Sequence, residues 1–162
     1  MIKSFKPVAD ENTKIMIIGS MPGEASLKAG QYYAYKYNQF WPLMTDLLSP
    51  SAPPASYKEK LQMLLNNNIG LWDSLAVCKR AGSLDGNIKE EKPNDFKTLL
   101  KKYPKITTLL FNGQAAHKYF VKYFGMIDAV EYKLLPSTSP AAATKTLKQK
   151  RELWAKAIKA VN

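Results

Sequence analysis

A chain of 162 residues with 46% hydrophobic content can fill one compact core and has no room for two. Lysine and arginine outnumber aspartate and glutamate by 24 to 13, a formal charge of +11 that favours a polyanionic partner, nucleic acid ahead of an acidic membrane surface. One cysteine, Cys78, excludes an internal disulfide, and with the single histidine, His117, it leaves no ligand cluster for structural zinc or an iron-sulfur centre.

The N-terminal segment MIKSFKPVADENTK carries no long apolar stretch, and no window reaches the roughly 18 to 20 apolar residues of a spanning helix. A soluble, intracellular monomer is expected, cytoplasmic and, in a prokaryote, associated with the nucleoid. No metal site is expected.

In chain order, residues 14–19 (KIMIIG) form a nearly continuous apolar and β-branched run, as a strand buried on both faces requires. Phe40, Trp41, Met44, Leu47 and Leu48 then recur at helical spacing, with Pro42 tolerated in the first turn. The Pro-rich SPSAPPAS is a connector, and Leu61, Leu64 and Leu65 mark a second helix. Residues 70–73 (GLWD) read as a short strand. Pro93 is expected to open a third helix carrying Phe96, Leu99, Leu100 and Tyr103. Residues 106–111 (ITTLLF) form another buried strand. Ala115, Ala116, Tyr119, Phe120 and Tyr123 mark a fourth helix, with Gly125 as a left-handed cap. Residues 130–135 (VEYKLL) supply a fourth strand. The last helix carries Leu147, Trp154, Ile158 and Val161 on one face, with Lys148, Lys150, Lys156 and Lys159 elsewhere.

Strands alternating with helices predict one domain over residues 1–162, a three-layer α/β/α sandwich with a central, mostly parallel four-stranded sheet. Ligands of such folds bind beyond the carboxyl ends of the strands. Each predicted strand runs into a polar segment: Ser20-Met21-Pro22-Gly23, Asp73-Ser74, Asn112-Gly113, and Pro136-Ser137-Thr138-Ser139-Pro140. The four are expected to meet at one edge.

Those segments carry a resemblance. GSMPGEASLKAGQYYAYKYNQFW resembles the first motif of the hypoxanthine-DNA glycosylases, a branch of the uracil-DNA glycosylase superfamily: a Gly-Ser-Met-Pro turn, a Tyr-Tyr pair, then Asn-x-Phe-Trp. GLWDSLAVCKRAGSLDGNI, LLFNG and LLPSTSPA are similar to the branch's later blocks, in the expected order between residues 15 and 142. The resemblance implies a flattened parallel sheet flanked by helices, DNA containing deaminated bases as partner, a base-flipping mode of action and no cofactor. It implies hypoxanthine as substrate, with uracil second. It places catalytic roles on Asn38 and Asn112, and base binding on Gly19, Ser20, Met21, Tyr33 and Phe40, Tyr33 stacking on the flipped base. Ser137, Thr138, Ser139, Pro140 and Ala141 take the place of the loop that enters the minor groove and holds phosphate. Three features depart from the superfamily's patterns, the second of them in keeping with the hypoxanthine branch. Tyr35-Lys36-Tyr37 stand where the branch has His-Pro-Arg. Ser137 stands where the better-known uracil enzymes carry histidine or asparagine, and Ala141 where they carry a wedge leucine.

Breaking a purine C1′–N9 bond builds oxocarbenium charge on the sugar and negative charge on the base, so the site must position water and supply donors. Asn38 can hold that water through its amide, although it is a poor general base; it can equally cap the helix that follows. The amide of Asn112 matches the adjacent acceptor and donor of hypoxanthine at O6 and N1, or of uracil at O4 and N3, whereas adenine reverses them. An Asn-Gly turn is the alternative. Tyr32, Tyr33, Tyr35 and Tyr37, with Lys28 and Lys36, suit stacking on bases beside phosphates. Asp73 is either a fallback water activator or a loop anchor. No neighbouring feature prepares Lys36 for Schiff-base chemistry, so monofunctional hydrolysis is expected. A rival from another class is a non-catalytic basic nucleic-acid-binding module, which would bind DNA in a salt-sensitive way without forming product.

Overall fold

The computed structural model describes residues 1–161. A two-residue strand, β1 (Ile2–Lys3), precedes β2 (Ile15–Gly19), every residue of which is buried. After α1 (Glu24–Ala29), α2 (Phe40–Leu48) and α3 (Tyr57–Asn66) come β3 (Ile69–Asp73) and β4 (Leu75–Lys79). A 3₁₀ turn, Asp85–Asn87, leads into β5 (Lys89–Pro93) and α4 (Phe96–Lys102). The chain ends with β6 (Thr108–Asn112), α5 (Gln114–Phe124), β7 (Glu131–Leu135) and α6 (Leu147–Lys159).

The central sheet has four strands in the order β3-β2-β6-β7, all parallel, as the strand-helix alternation led us to expect. Its two faces follow from the period-two geometry of IMIIG. Ile15 and Ile17 face a core with Phe40, Met44, Leu64 and Trp154, covered by α2, α3 and α6. Met16 and Ile18 face the opposite core with Phe96, Leu99, Phe111 and Phe120, covered by α4 and α5. A strand with both faces under helices must be apolar throughout, and the result is three layers.

The sequence reading missed a second sheet, antiparallel and three-stranded, in the order β1-β4-β5. It also missed α1, a six-residue helix with no side-chain N-cap that Gly30 ends in the left-handed region at φ 66°. Pro93 does not open the third helix. It is the last residue of β5, paired with Leu75, and Asp95 caps α4 by accepting from the Thr98 amide at 3.0 Å. Gly125 has φ 61° but ψ −142°, so it closes α5 by turning into extended backbone and not through a left-handed helical cap. Lys150 lies beneath the last loop and is 2% exposed, because it falls one helical turn before Trp154 on the buried face of α6. Leu147, assigned to that face, is 52% exposed.

Candidate active site

Parallel register brings Gly19 opposite Asp73 and Asn112 opposite Leu135 at one end of the sheet. A cavity of about 570 Å³ opens there. Of the residues singled out from the sequence, Gly19, Ser20, Met21, Tyr33, Asn38, Asn112 and the loop 137–141 all line it. Phe40 does not. It is fully buried, and the Tyr33 ring stacks over it at 4.0 Å between centroids, so a ligand in the cavity meets the outer side of Tyr33. Tyr33 holds φ 55°, a left-handed conformation uncommon outside glycine, and burial beside Asp73 raises its hydroxyl above the ordinary tyrosine range.

Thr138 organises the two asparagines. Its N–H donates to Asn112 Oδ1 at 2.9 Å, and its Oγ1 accepts from Asn112 Nδ2 at 3.0 Å. The hydroxyl donates in turn to Asn38 Oδ1 at 2.8 Å, and the Thr138 carbonyl accepts from the Gln39 N–H at 3.0 Å. Every polar group of this residue is used, and it is 1% exposed.

Asn38 Oδ1 also accepts from the Phe40 N–H at 2.9 Å. The N-cap of α2 is Gln39, without a side-chain cap bond, so Asn38 is not the expected cap; it binds the first helical N–H from the position before it and also lines the cavity. With both lone pairs of the oxygen engaged, the amide presents its Nδ2 hydrogens to the cavity. Asn112 does not cap α5, whose N-cap is Gly113 without a side-chain bond. Gly113 has φ 94°, and a Cβ there would stand 2.9 Å from the Ser137 Cβ, so only glycine lets the last loop pack against β6.

The last loop holds itself through its serines. Ser137 Oγ accepts from the Ser139 N–H at 3.1 Å, and Ser139 Oγ from the Ala141 N–H at 3.3 Å. Lys150 adds a tie from below, its Nζ donating to Gln39 Oε1 at 3.1 Å and to the Ser139 carbonyl at 3.5 Å; burial lowers its pKa.

The opposite wall comes from residues 80–85, within the block GLWDSLAVCKRAGSLDGNI, where the sequence reading named no site residue after Asp73. Arg80 donates to the Pro22 carbonyl at 2.6 Å and the Gly82 carbonyl at 2.8 Å. Ser83 Oγ accepts from the Glu24 N–H at 2.9 Å, and Asp85 accepts from Ser20 Oγ at 2.7 Å. Between them Leu84 lines the cavity while 63% exposed. Tyr35, 48% exposed, stands on the lip, edge-on to Tyr37 at 5.5 Å, with Lys36 Nζ 4.8 Å over the Tyr37 ring.

Asp73 is 4% exposed and lines the cavity. Burial, reinforced by Asp85 and opposed by Arg80, pushes its carboxyl up from 3.8 to about 7. Among the described residues no three His, Cys, Asp or Glu side chains converge as metal ligands, and no helix is long and apolar enough to cross a membrane.

Comparison with known proteins agrees with this architecture. The family model of the uracil DNA glycosylase superfamily matches residues 5–161. The chain is 38% identical over 157 residues to a hypoxanthine DNA glycosylase of Methanosarcina barkeri, covering 97% of this chain and 98% of the relative. It is 41% identical over 142 residues to a hypoxanthine DNA glycosylase of Methanosarcina acetivorans, covering 87% and 89%. A solution NMR structure of a Methanosarcina acetivorans protein, assigned provisionally to the uracil DNA glycosylases, superposes with a TM-score of 0.80 at 34% identity, covering 98% of this chain and 97% of the other.

Proposed function

This chain belongs to the uracil DNA glycosylase superfamily, and we propose that it is a monofunctional DNA glycosylase that hydrolyses the N-glycosidic bond of a deaminated base flipped out of DNA, hypoxanthine first and uracil second. The observation that carries this reading is the pair of asparagines, Asn38 and Asn112, held at one cavity by Thr138. A cavity of about 570 Å³ has room for a nucleobase and its sugar. The formal charge of +11 supplies attraction to the phosphate backbone.

In this mechanism the base enters from the lip and stacks on the free side of Tyr33, whose other side is fixed by Phe40. Asn38 donates from Nδ2 to the oxygen of the attacking water. Its contribution is position, since an amide takes no proton. Asn112 keeps one N–H and one lone pair beyond its bonds to Thr138, enough for an acceptor-donor edge. Ser137, Ser139, Pro140 and Ala141 meet the DNA backbone, while Thr138, expected from the sequence to join them, is buried beneath the loop and holds the two amides. Lys150 is tied to Gln39 and Ser139, Lys36 lies over the Tyr37 ring, and neither lines the cavity, so among the described residues no lysine is set for Schiff-base attack. An abasic site is the product.

The test is incubation with duplexes bearing one deoxyinosine, deoxyuridine or deoxyxanthosine, followed by alkali to cut abasic sites. Strand breaks at the lesion, in the order inosine then uracil, are expected. Salt-sensitive binding with no breaks on any of the three would leave a non-catalytic DNA-binding module instead.

A further inference from the structure

The mechanism above leaves one buried acid of the cavity without a task. Asp73 ends β3 directly opposite Gly19, and its Oδ2 is buried without a hydrogen-bond partner among the described residues. The Oδ1 atom lies so close to Gly19 that a Cβ there would stand 2.5 Å away. A buried carboxyl oxygen without a partner is costly, and a structural anchor would be satisfied.

Its surroundings hold no paired cation. Arg80, the positive group on that side, gives Nε and Nη2 to two backbone carbonyls, leaves Nη1 buried without a partner among the described residues, and draws the Asp73 carboxyl down less than burial raises it. Asp85, from the wall opposite the last loop, raises the Asp73 carboxyl, and Asp73 in turn raises the hydroxyls of Tyr33 and Tyr32 from the segment before α2. Burial, and after it the charge of Asp85, work against a negative charge on Asp73. The carboxyl accordingly keeps its proton toward neutral pH. Asp85 differs, because Ser20 already donates to it.

We propose that Asp73 is the general acid of the reaction, giving its carboxyl proton to the departing base. The inference rests on the glycosylase reading. As the C1′–N9 bond breaks, its electron pair passes into the purine ring and the Asp73 proton lands on a ring nitrogen, so the base leaves neutral. Water adds its oxygen to C1′ and releases a proton to solvent, from which the Asp73 carboxylate is recharged. Neither Asn38 nor Asn112 can supply that proton, since an amide donates hydrogen bonds without transferring hydrogen.

Asp73→Asn keeps shape and loses the transferable proton. Under single turnover on a deoxyinosine duplex near pH 6 we expect it to slow release by about 100-fold or more. Affinity for a duplex carrying a non-hydrolysable 2′-fluoro-arabino inosine should stay within about threefold of wild type. The wild-type rate should fall on the alkaline side between about pH 6 and pH 9, and the variant should lack that limb. The loss should shrink for bases that depart readily, 5-fluorouracil against uracil, whereas a structural role would lower all bases alike. Equal losses across bases with an unchanged pH profile, or a rate within about threefold of wild type, would overturn the proposal. If the variant does not fold, the wild-type profile decides: no alkaline limb overturns it. Wild-type protein that releases no base from any duplex removes the glycosylase reading itself, an outcome distinct from an active enzyme indifferent to Asp73.

Discussion

Thr138 and Asn38 stand 100 residues apart in the chain and share a 2.8 Å hydrogen bond, the Thr138 hydroxyl donating to the amide oxygen. Because the same hydroxyl accepts from Asn112, one small side chain sets the orientation of both amides. Thr138→Val keeps the volume and removes the hydroxyl, leaving two amides short of a partner. We expect a loss of about 1 to 3 kcal/mol in urea unfolding and a fall in single-turnover rate. Thr138→Ser should retain most of both.

Asn38→Ala and Asn38→Asp separate the two uses of that amide. Aspartate still accepts from Phe40 and Thr138, so its helix start should hold, but it offers the cavity no donor. Both variants should lose about 100-fold or more in rate. Only the alanine variant should also lose about 1 kcal/mol of stability from the helix start. An aspartate variant as active as wild type would refute the donor role.

Tyr33→Phe should keep lesion binding, since the ring still lies on Phe40, whereas Tyr33→Ala removes the platform and uncovers Phe40. A base stacked on an aromatic is worth about 1 to 3 kcal/mol, so we expect roughly ten- to hundredfold weaker binding of the non-hydrolysable inosine duplex by the alanine variant. Fluorescence anisotropy measures this.

Asp73 makes stability pH-dependent. Its folded pKa, about 7, lies above the ordinary 3.8, so the neutral acid is the form the fold accepts. That contribution is complete below about pH 4 and is lost as pH rises through about 7, to an upper bound of about 4 kcal/mol. Asp73→Asn should therefore gain stability over wild type at pH 8.5 and gain less at pH 5, measured by urea unfolding.

Gly19→Ala tests the close approach of that carboxyl. The new Cβ would meet Asp73 Oδ1 at 2.5 Å and the Tyr33 hydroxyl at 3.2 Å. We expect a cost of about 1 to 3 kcal/mol, and a smaller cost when Asp73→Ala is introduced as well, the double-mutant cycle giving the coupling.

The central sheet was legible because β2, β3 and β6 are buried on both faces, which IMIIG and TLLFN meet with mainly apolar residues; the edge strand β7 is only partly buried. The second sheet was not, because β5 is KEEKP, a largely exposed and charged strand whose pairing to β4 is set by tertiary contact and interrupted by register shifts. Asn112 and the strand-end loops were legible from position along the strands, and Asn38 from the Asn-x-Phe-Trp resemblance. The linkage through Thr138 was not, since hydrogen bonds across 26 and 100 residues leave no local pattern. Asp85 sits in a loop without periodicity. Lys150 is different: positions 150, 154 and 158 fall on one helical face, and sorting residues by charge hid that spacing.

The threonine between the asparagines also fuses two mechanical tasks. It belongs to the loop assigned to the DNA backbone, and its carbonyl fastens the start of α2 through Gln39. A strand that seats this loop badly will tilt both amides with it. Discrimination between substrates should then surface in the speed of bond breaking more than in the tightness of grip. Duplexes that bind equally well can still be processed at very different rates.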